Sequence, residues 1–164
     1  MKDKFIHAHM KAAEVYADLS SATRLKVGCV IVKDNTVIGI GYNGMPSGWD
    51  NQCEDVFFIE HKDIDNHYRV ESLIQLGYVE TAQGWTKTKS RPEVLHAETN
   101  AIAKVSQSTN SSKDAALFVT HAPCLDCAKL IHQSGITNVY YKNKYRSDDG
   151  INFLNKCGVN VHHV

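Results

Sequence analysis

Apolar residues recur at loosely helical spacing from Lys2 to Leu19. Phe5, Ile6, Met10, Ala13, Val15, Ala17 and Leu19 gather toward one face, and Ser20-Ser21-Ala22-Thr23 ends the pattern. The period then changes. Val27–Val32 is a short β-branched run, Asp34-Asn35 marks a turn, and Thr36–Ile40 is a second run, which together predict a hairpin. Gly41-Tyr42-Asn43-Gly44-Met45-Pro46-Ser47-Gly48 follows, and so much Gly and Pro implies close backbone packing or unusual dihedrals. From Trp49 to Glu93 the pattern is less regular. Val70, Leu73, Ile74 and Gly77 predict a helix over 64–77, and Ala82–Arg91 reads as an exposed loop.

Regular alternation begins at His96. The chain reads as a helix over 96–107, a buried strand over 115–120, a helix over 124–134 stopped by Gly135, and a strand over 137–141. A further helix opens at Ser147-Asp148-Asp149 and stops at Gly158, and a last strand covers 159–161. Strand–helix–strand repetition predicts an α/β sheet that is parallel in its second half and mixed because of the hairpin.

Composition narrows the class. A chain of 164 residues is one domain's length, and 43% hydrophobic residues suffice for a core without disulfide staples. Lys+Arg equals Asp+Glu at 18 each, which argues against a nucleic-acid binder and against an acidic disordered tail. The charged N-terminal segment lacks the apolar stretch of a signal peptide, and no run is long enough to span a membrane. The expectation is a soluble cytosolic protein with reduced thiols. Five Cys cannot all pair with one another, and with nine His they supply metal-binding residue types in a short chain.

Two clusters give those residues a chemistry. Pro123-Cys124-Leu125-Asp126-Cys127 opens a helix after a strand, so Cys124 and Cys127 share a face near a helix N-terminus that favours thiolates. His96-Ala97-Glu98 also opens a helix after an extended stretch. His96 with Cys124 and Cys127 makes a three-ligand set that leaves the fourth zinc position to water, as catalytic rather than structural zinc sites do. Glu98 is then placed to handle that water's proton. H-x-E followed by P-C-x-x-C is the signature of zinc-dependent deaminases.

The sequence resembles the deoxycytidylate (dCMP) deaminase family, bacterial or phage type. The resemblance is carried by residues 27–32, 41–48, 96–102 and 119–129, and continues through Gln133-Ser134-Gly135-Ile136 and Tyr145-Arg146. It implies a single catalytic domain over 1–164 with a variable insertion at about 49–93. The implied fold is a three-layer α/β/α cytidine-deaminase-like one with a five-stranded mixed sheet. It implies zinc-dependent conversion of dCMP to dUMP for thymidylate synthesis, with Glu98 as proton shuttle and His96, Cys124 and Cys127 as zinc ligands. Ala97, through its backbone N–H, and Asn43 are the implied contacts to base and sugar, and Arg24, Tyr145 and Arg146 those at the 5′-phosphate. His121 is a further candidate there. The family also implies a cytoplasmic homohexamer activated by dCTP and inhibited by dTTP, each bound with Mg²⁺. Lys26, Tyr42 and Gly44 are candidates for the effector response, and Lys62 is a weaker one.

The alternative is another zinc-dependent deaminase of a cytosine nucleotide or nucleoside, such as cytidine, CMP or dCTP. A tRNA adenosine deaminase shares His-Ala-Glu but calls for a basic surface that the neutral chain lacks. Some family members hold a second, structural zinc. Here Cys53, His61 and His67 are available, but the family's first Cys has no counterpart around Ser20–Thr23, so no second zinc is expected. Cys29 and Cys157 are expected in the core.

Overall fold

The computed structural model describes residues 1–67 and 70–164, without the side chains of 65–67. The first half of the chain contains α1 (Asp3–Ala17), β1 (Gly28–Lys33), β2 (Thr36–Tyr42), β3 (Glu54–Glu60), α2 (His61–His67), α3 (Val70–Gln75), β4 (Val79–Thr81) and β5 (Gly84–Ser90). The second half contains α4 (Ala97–Ser106), β6 (Ala116–His121), α5 (Leu125–Gln133), β7 (Asn138–Asn143), α6 (Asp149–Lys156) and β8 (Asn160–His163).

The main sheet has five strands in the order β2-β1-β6-β7-β8. β1 is antiparallel to both β2 and β6, while β6, β7 and β8 run parallel, so the sheet is mixed as the alternation predicted. The hairpin turn places Asp34 at φ 51° and Asn35 at φ 59°, the left-handed pair that a two-residue hairpin turn needs and that these residues tolerate. Gly135 and Gly158 stop their helices at φ 77° and 78°.

Burial along β1 and β6 shows why the sheet is a middle layer. Cys29, Ile31, Leu117 and Val119 face a cluster that includes Ala97, Ala101 and Val105 of α4, Ala128 and Ile131 of α5, and Leu154 of α6. Their neighbours Val30, Val32, Ala116 and Phe118 face Met10 and Ala13 of α1 on the other side. Strands covered on both faces lose the polar alternation of a half-exposed sheet and read as continuous apolar runs. The architecture is α/β/α in three layers. No described helix is long and apolar enough to cross a membrane.

The segment over 49–93 departs from expectation. Ala82–Arg91, read as an exposed loop, contains β5, the central strand of a second sheet in the order β3-β5-β4. Its Lys and Thr side chains mask the strand, since Gly84 and Trp85 alone are buried there. The helix expected over 64–77 is instead two short helices, α2 and α3. Of the apolar positions that suggested it, Leu73 is buried, while Val70 and Ile74 are exposed. Leu73 packs with Ile64 and Trp85 in a small separate core. Cys29 is buried as expected, whereas Cys157 is only half-buried at the C-cap of α6.

Candidate active site and metal centre

Two helix N-termini converge on one point. His96 is the N-cap of α4 and Cys124 the N-cap of α5, both with extended backbone (φ −78°, ψ 150° and φ −69°, ψ 169°). Cys127 lies three residues into the α5 start, the spacing at which an N-cap side chain meets its own first turn. His96 Nδ1 is 3.2 Å from Cys127 Sγ and 3.6 Å from Cys124 Sγ. The three donor atoms lie within 4.8 Å of one another, and no other such group occurs among the described residues.

This donor set fits zinc. A tetrahedral ion at its usual bond lengths to nitrogen and sulfur would hold the donors about 3.6 Å apart. The protonation pattern agrees. The hydrogen bond from the Cys127 thiol, and next that from His96, hold the Cys124 thiol down to about 4. Cys127 is pushed strongly up by sharing its proton with Cys124, by burial and by Glu98. One proton thus bridges two sulfurs that a dication would hold as thiolates. The hydrogen bond to Cys124 raises His96, against the opposing effect of burial.

Glu98 follows in the first turn of α4 and is 5% exposed. Burial raises its carboxyl above the ordinary carboxylate range, against the lowering effects of its own backbone N–H and of His96. A buried carboxyl beside a metal-ligand cluster can carry a proton both ways.

The cluster opens into a cavity of about 680 Å³, a volume suited to a nucleotide-sized ligand. Among the sequence-predicted residues, Arg24, Asn43, Ala97, Tyr145 and Arg146 all line it, as do His96, Glu98 and Cys124. Ala97 is fully buried at the first position of α4, where helix N–H groups lack intrahelical partners. Arg146 lies over the Tyr145 ring at 5.7 Å. Asn43 is already engaged: its Oδ1 accepts from the Val27 N–H (2.7 Å) and its Nδ2 donates to the Leu25 carbonyl (2.8 Å), which shapes the cavity wall.

Lys26, Tyr42 and Gly44 do not line the cavity. Lys26 reaches the Asp18 carbonyl (3.5 Å), and Lys104 lies over the Tyr42 ring. Gly44 exchanges two backbone hydrogen bonds with Leu95, the residue before His96. Lys62 forms an ion pair with Glu60. Of the spare candidate ligands, Cys53 lies buried with Sγ 3.3 Å from Ser21 Oγ, His61 contacts the Thr81 carbonyl, and the side chain of His67 lies outside what the structure describes.

Sequence reading missed what the second sheet contributes. Glu54, Lys89, Ser90 and Arg91 line the same cavity. The Glu54 carboxylate accepts from the N–H groups of Thr23 and Arg24, and Arg24 Nη1 donates to Ser90 Oγ (3.1 Å). Arg91 donates to Asp55 (2.8 Å), Asp50 (3.3 Å) and Gln52 (2.9 Å), tying the second sheet to the loop before it. The apolar run Val56-Phe57-Phe58-Ile59 between acidic residues was the available signal for this sheet.

The pattern of the cytidine and deoxycytidylate deaminase zinc-binding region matches residues 3–143, and the chain belongs to that family of enzymes. Its relatives within the family are more particular. It is 33% identical to the deoxycytidylate deaminase of Enterobacteria phage T2 across 94% of this chain and 89% of that one. It is 34% identical to that of Homo sapiens across 85% and 66%. The crystal structure of dCMP deaminase from the cyanophage S-TIM5, in complex with dCMP and dUMP, matches 100% of this chain and 99% of that chain. The TM-score is 0.77 at 36% identity.

Proposed function

We propose that this chain is a single catalytic domain that hydrolyses dCMP to dUMP and ammonia. The observation that carries the reading is the His96–Cys124–Cys127 cluster at two helix N-termini, with Glu98 buried beside it. The similarity to phage dCMP deaminases along nearly the whole chain supports the substrate.

His96, Cys124 and Cys127 would hold zinc, which would supply the Lewis acidity that makes water nucleophilic near neutral pH. Glu98 takes the proton of the attacking water and delivers it to N3 of the cytosine ring. It then carries the second proton to the amino group leaving C4, so water enters and ammonia departs with no net proton change on the carboxyl. The Ala97 N–H holds the pyrimidine O2, and Asn43 keeps the base-and-sugar wall in place. Arg24, Tyr145 and Arg146 receive the 5′-phosphate, for which arginine offers a matched fork of donors.

The same reading includes a cytoplasmic homohexamer, in host cytoplasm if phage-encoded. dCTP activates it and dTTP inhibits it, each with Mg²⁺, through the loop that carries Tyr42 and Gly44, with Lys26 near the effector. The Gly44–Leu95 bridge supports the loop's part in this, because it ends one residue before His96.

Ammonia release from dCMP, CMP, dCTP, deoxycytidine and cytidine, with and without dCTP or dTTP and Mg²⁺, tests the proposal. dCMP is expected to be the preferred substrate. No release from dCMP, even with dCTP and Mg²⁺, overturns it, and a preference for another member of the panel selects the alternative. Indifference to both triphosphates removes the regulatory part alone.

A further inference from the structure

Thr120 and His121 end β6, and His121 lines the cavity. The Gly28 N–H donates to Thr120 Oγ1 (3.2 Å), and the same oxygen lies 3.2 Å from His121 Nδ1. Thr120 is 4% exposed, and these are its hydroxyl's partners among the described residues. The hydroxyl carries one proton of its own that needs an acceptor. An unprotonated Nδ1 provides it. With the proton on Nδ1 instead, the buried hydroxyl would have no acceptor, at the cost of an unsatisfied donor. The relay Gly28→Thr120→His121 therefore fixes the neutral ring with its proton on Nε2.

That nitrogen is open. His121 lines the cavity, and its Nε2 has no protein partner among the described residues and is not sealed from solvent. Burial of the ring also holds its pKa below the ordinary histidine range, which keeps it neutral near pH 7. His121 pairs with Asn143 across β6 and β7, and the Ala122 N–H donates to the Asn143 carbonyl (2.8 Å). His121 thus stands beside the segment Lys144-Tyr145-Arg146, all of which lines the same cavity.

We propose that His121 is a specificity-determining residue, a tautomer-locked donor whose Nε2–H binds a phosphate oxygen of the nucleotide. Thr120 is its positioning residue. A neutral ring held as a donor on this side selects an acceptor-only group, and a phosphate oxygen beside cationic side chains is such a group. The inference rests on the nucleotide reading given above.

The test compares kcat/KM for dCMP with that for deoxycytidine in His121→Leu, His121→Gln and Thr120→Val. The ratio should fall about 10- to 100-fold in His121→Leu, chiefly through KM for dCMP, as for a lost hydrogen bond to a charged group. His121→Gln, which keeps a donor near the Nε2 position, should recover much of it. Ring nitrogen shifts of ¹⁵N-histidine-labelled protein should show the Nε2–H tautomer for His121 and a tautomer mixture in Thr120→Val. An unchanged ratio in a folded His121→Leu overturns the proposal, as does an Nδ1–H ring in the unsubstituted protein. If the unsubstituted protein releases no ammonia from dCMP, the substrate reading fails instead, and the nitrogen shifts still test the relay.

Discussion

Replacing Gly41 with alanine is the perturbation whose size the structure defines most closely. Gly41 lies on β2 against the start of α4. A Cβ there would sit 2.1 Å from the Ala97 carbonyl oxygen, 2.6 Å from the Ala101 nitrogen and 3.0 Å from the Ala101 Cβ. The two shortest contacts are to backbone, so no flexible side chain can swing aside. Ordinary contact begins at 3.4 Å, so strand and helix must part by roughly 1 Å. Overpacking of this kind costs about 1–3 kcal/mol. For a domain of this size that lowers Tm by roughly 2–12 °C. The helix that moves carries Ala97 and Glu98 and begins after His96, so activity should fall further than stability. A misplacement of about 1 Å can cost on the order of 100-fold in rate. Gly44→Ala is the control for stability, since a Cβ there meets nothing within 4 Å and its φ is not positive. Thermal melts, zinc analysis and dCMP turnover on both variants give the answer. Wild-type Tm and turnover in Gly41→Ala would refute the reasoning, as would equal destabilisation by Gly44→Ala.

Chelation should abolish turnover and lower Tm, because an ion that binds only the folded chain stabilises it by mass action, and zinc add-back should restore both. Full activity in chelated, metal-free protein would contradict the metal site. Cys127→Ala should leave the protein without stoichiometric zinc after dialysis, measurable by elemental analysis, whereas retained zinc would remove Cys127 from the ligand set. His9 is 9% exposed, its Nε2 has no partner among the described residues, and burial lowers its pKa. The unfolded chain therefore takes up this proton first, and stability should fall as pH drops below the ordinary histidine value near 6.5. His9→Leu should flatten the fall in Tm between about pH 7 and pH 5, and an unchanged slope would clear His9 of that role.

The centre of the main sheet was legible because β1 and β6 are buried on both sides. Val27–Val32 and Ala115–Val119 are runs without a charged or polar side chain, and the glycines at 135 and 158 adopt the positive φ that ends their helices. The donor cluster was legible too, since Cys124 and Cys127 share one helix start and His96 opens the other at short range. The second sheet was obscured by what it faces. β5 buries only Gly84 and Trp85 and turns its Lys and Thr residues to solvent or to the cavity, so its composition reads as a loop. Arg91 and Glu54 escaped notice for a related reason. Their partners Asp55, Asp50, Thr23 and Arg24 lie some 30 to 40 residues away, and periodicity carries no information about such pairings. Asn43, implied by the resemblance as a contact to base and sugar, lines the cavity, and both ends of its amide also hold the backbone of Leu25 and Val27, a pairing that periodicity does not reveal.

The most direct test of the central claim is ammonia release from dCMP by Glu98→Gln, with zinc content measured on the same sample. Glu98 is not among the three donors, so the variant should keep one zinc per chain. Its turnover should fall by about 100- to 10,000-fold, the usual contribution of a positioned proton carrier. A zinc-loaded Glu98→Gln that deaminates dCMP at the wild-type rate would contradict the account.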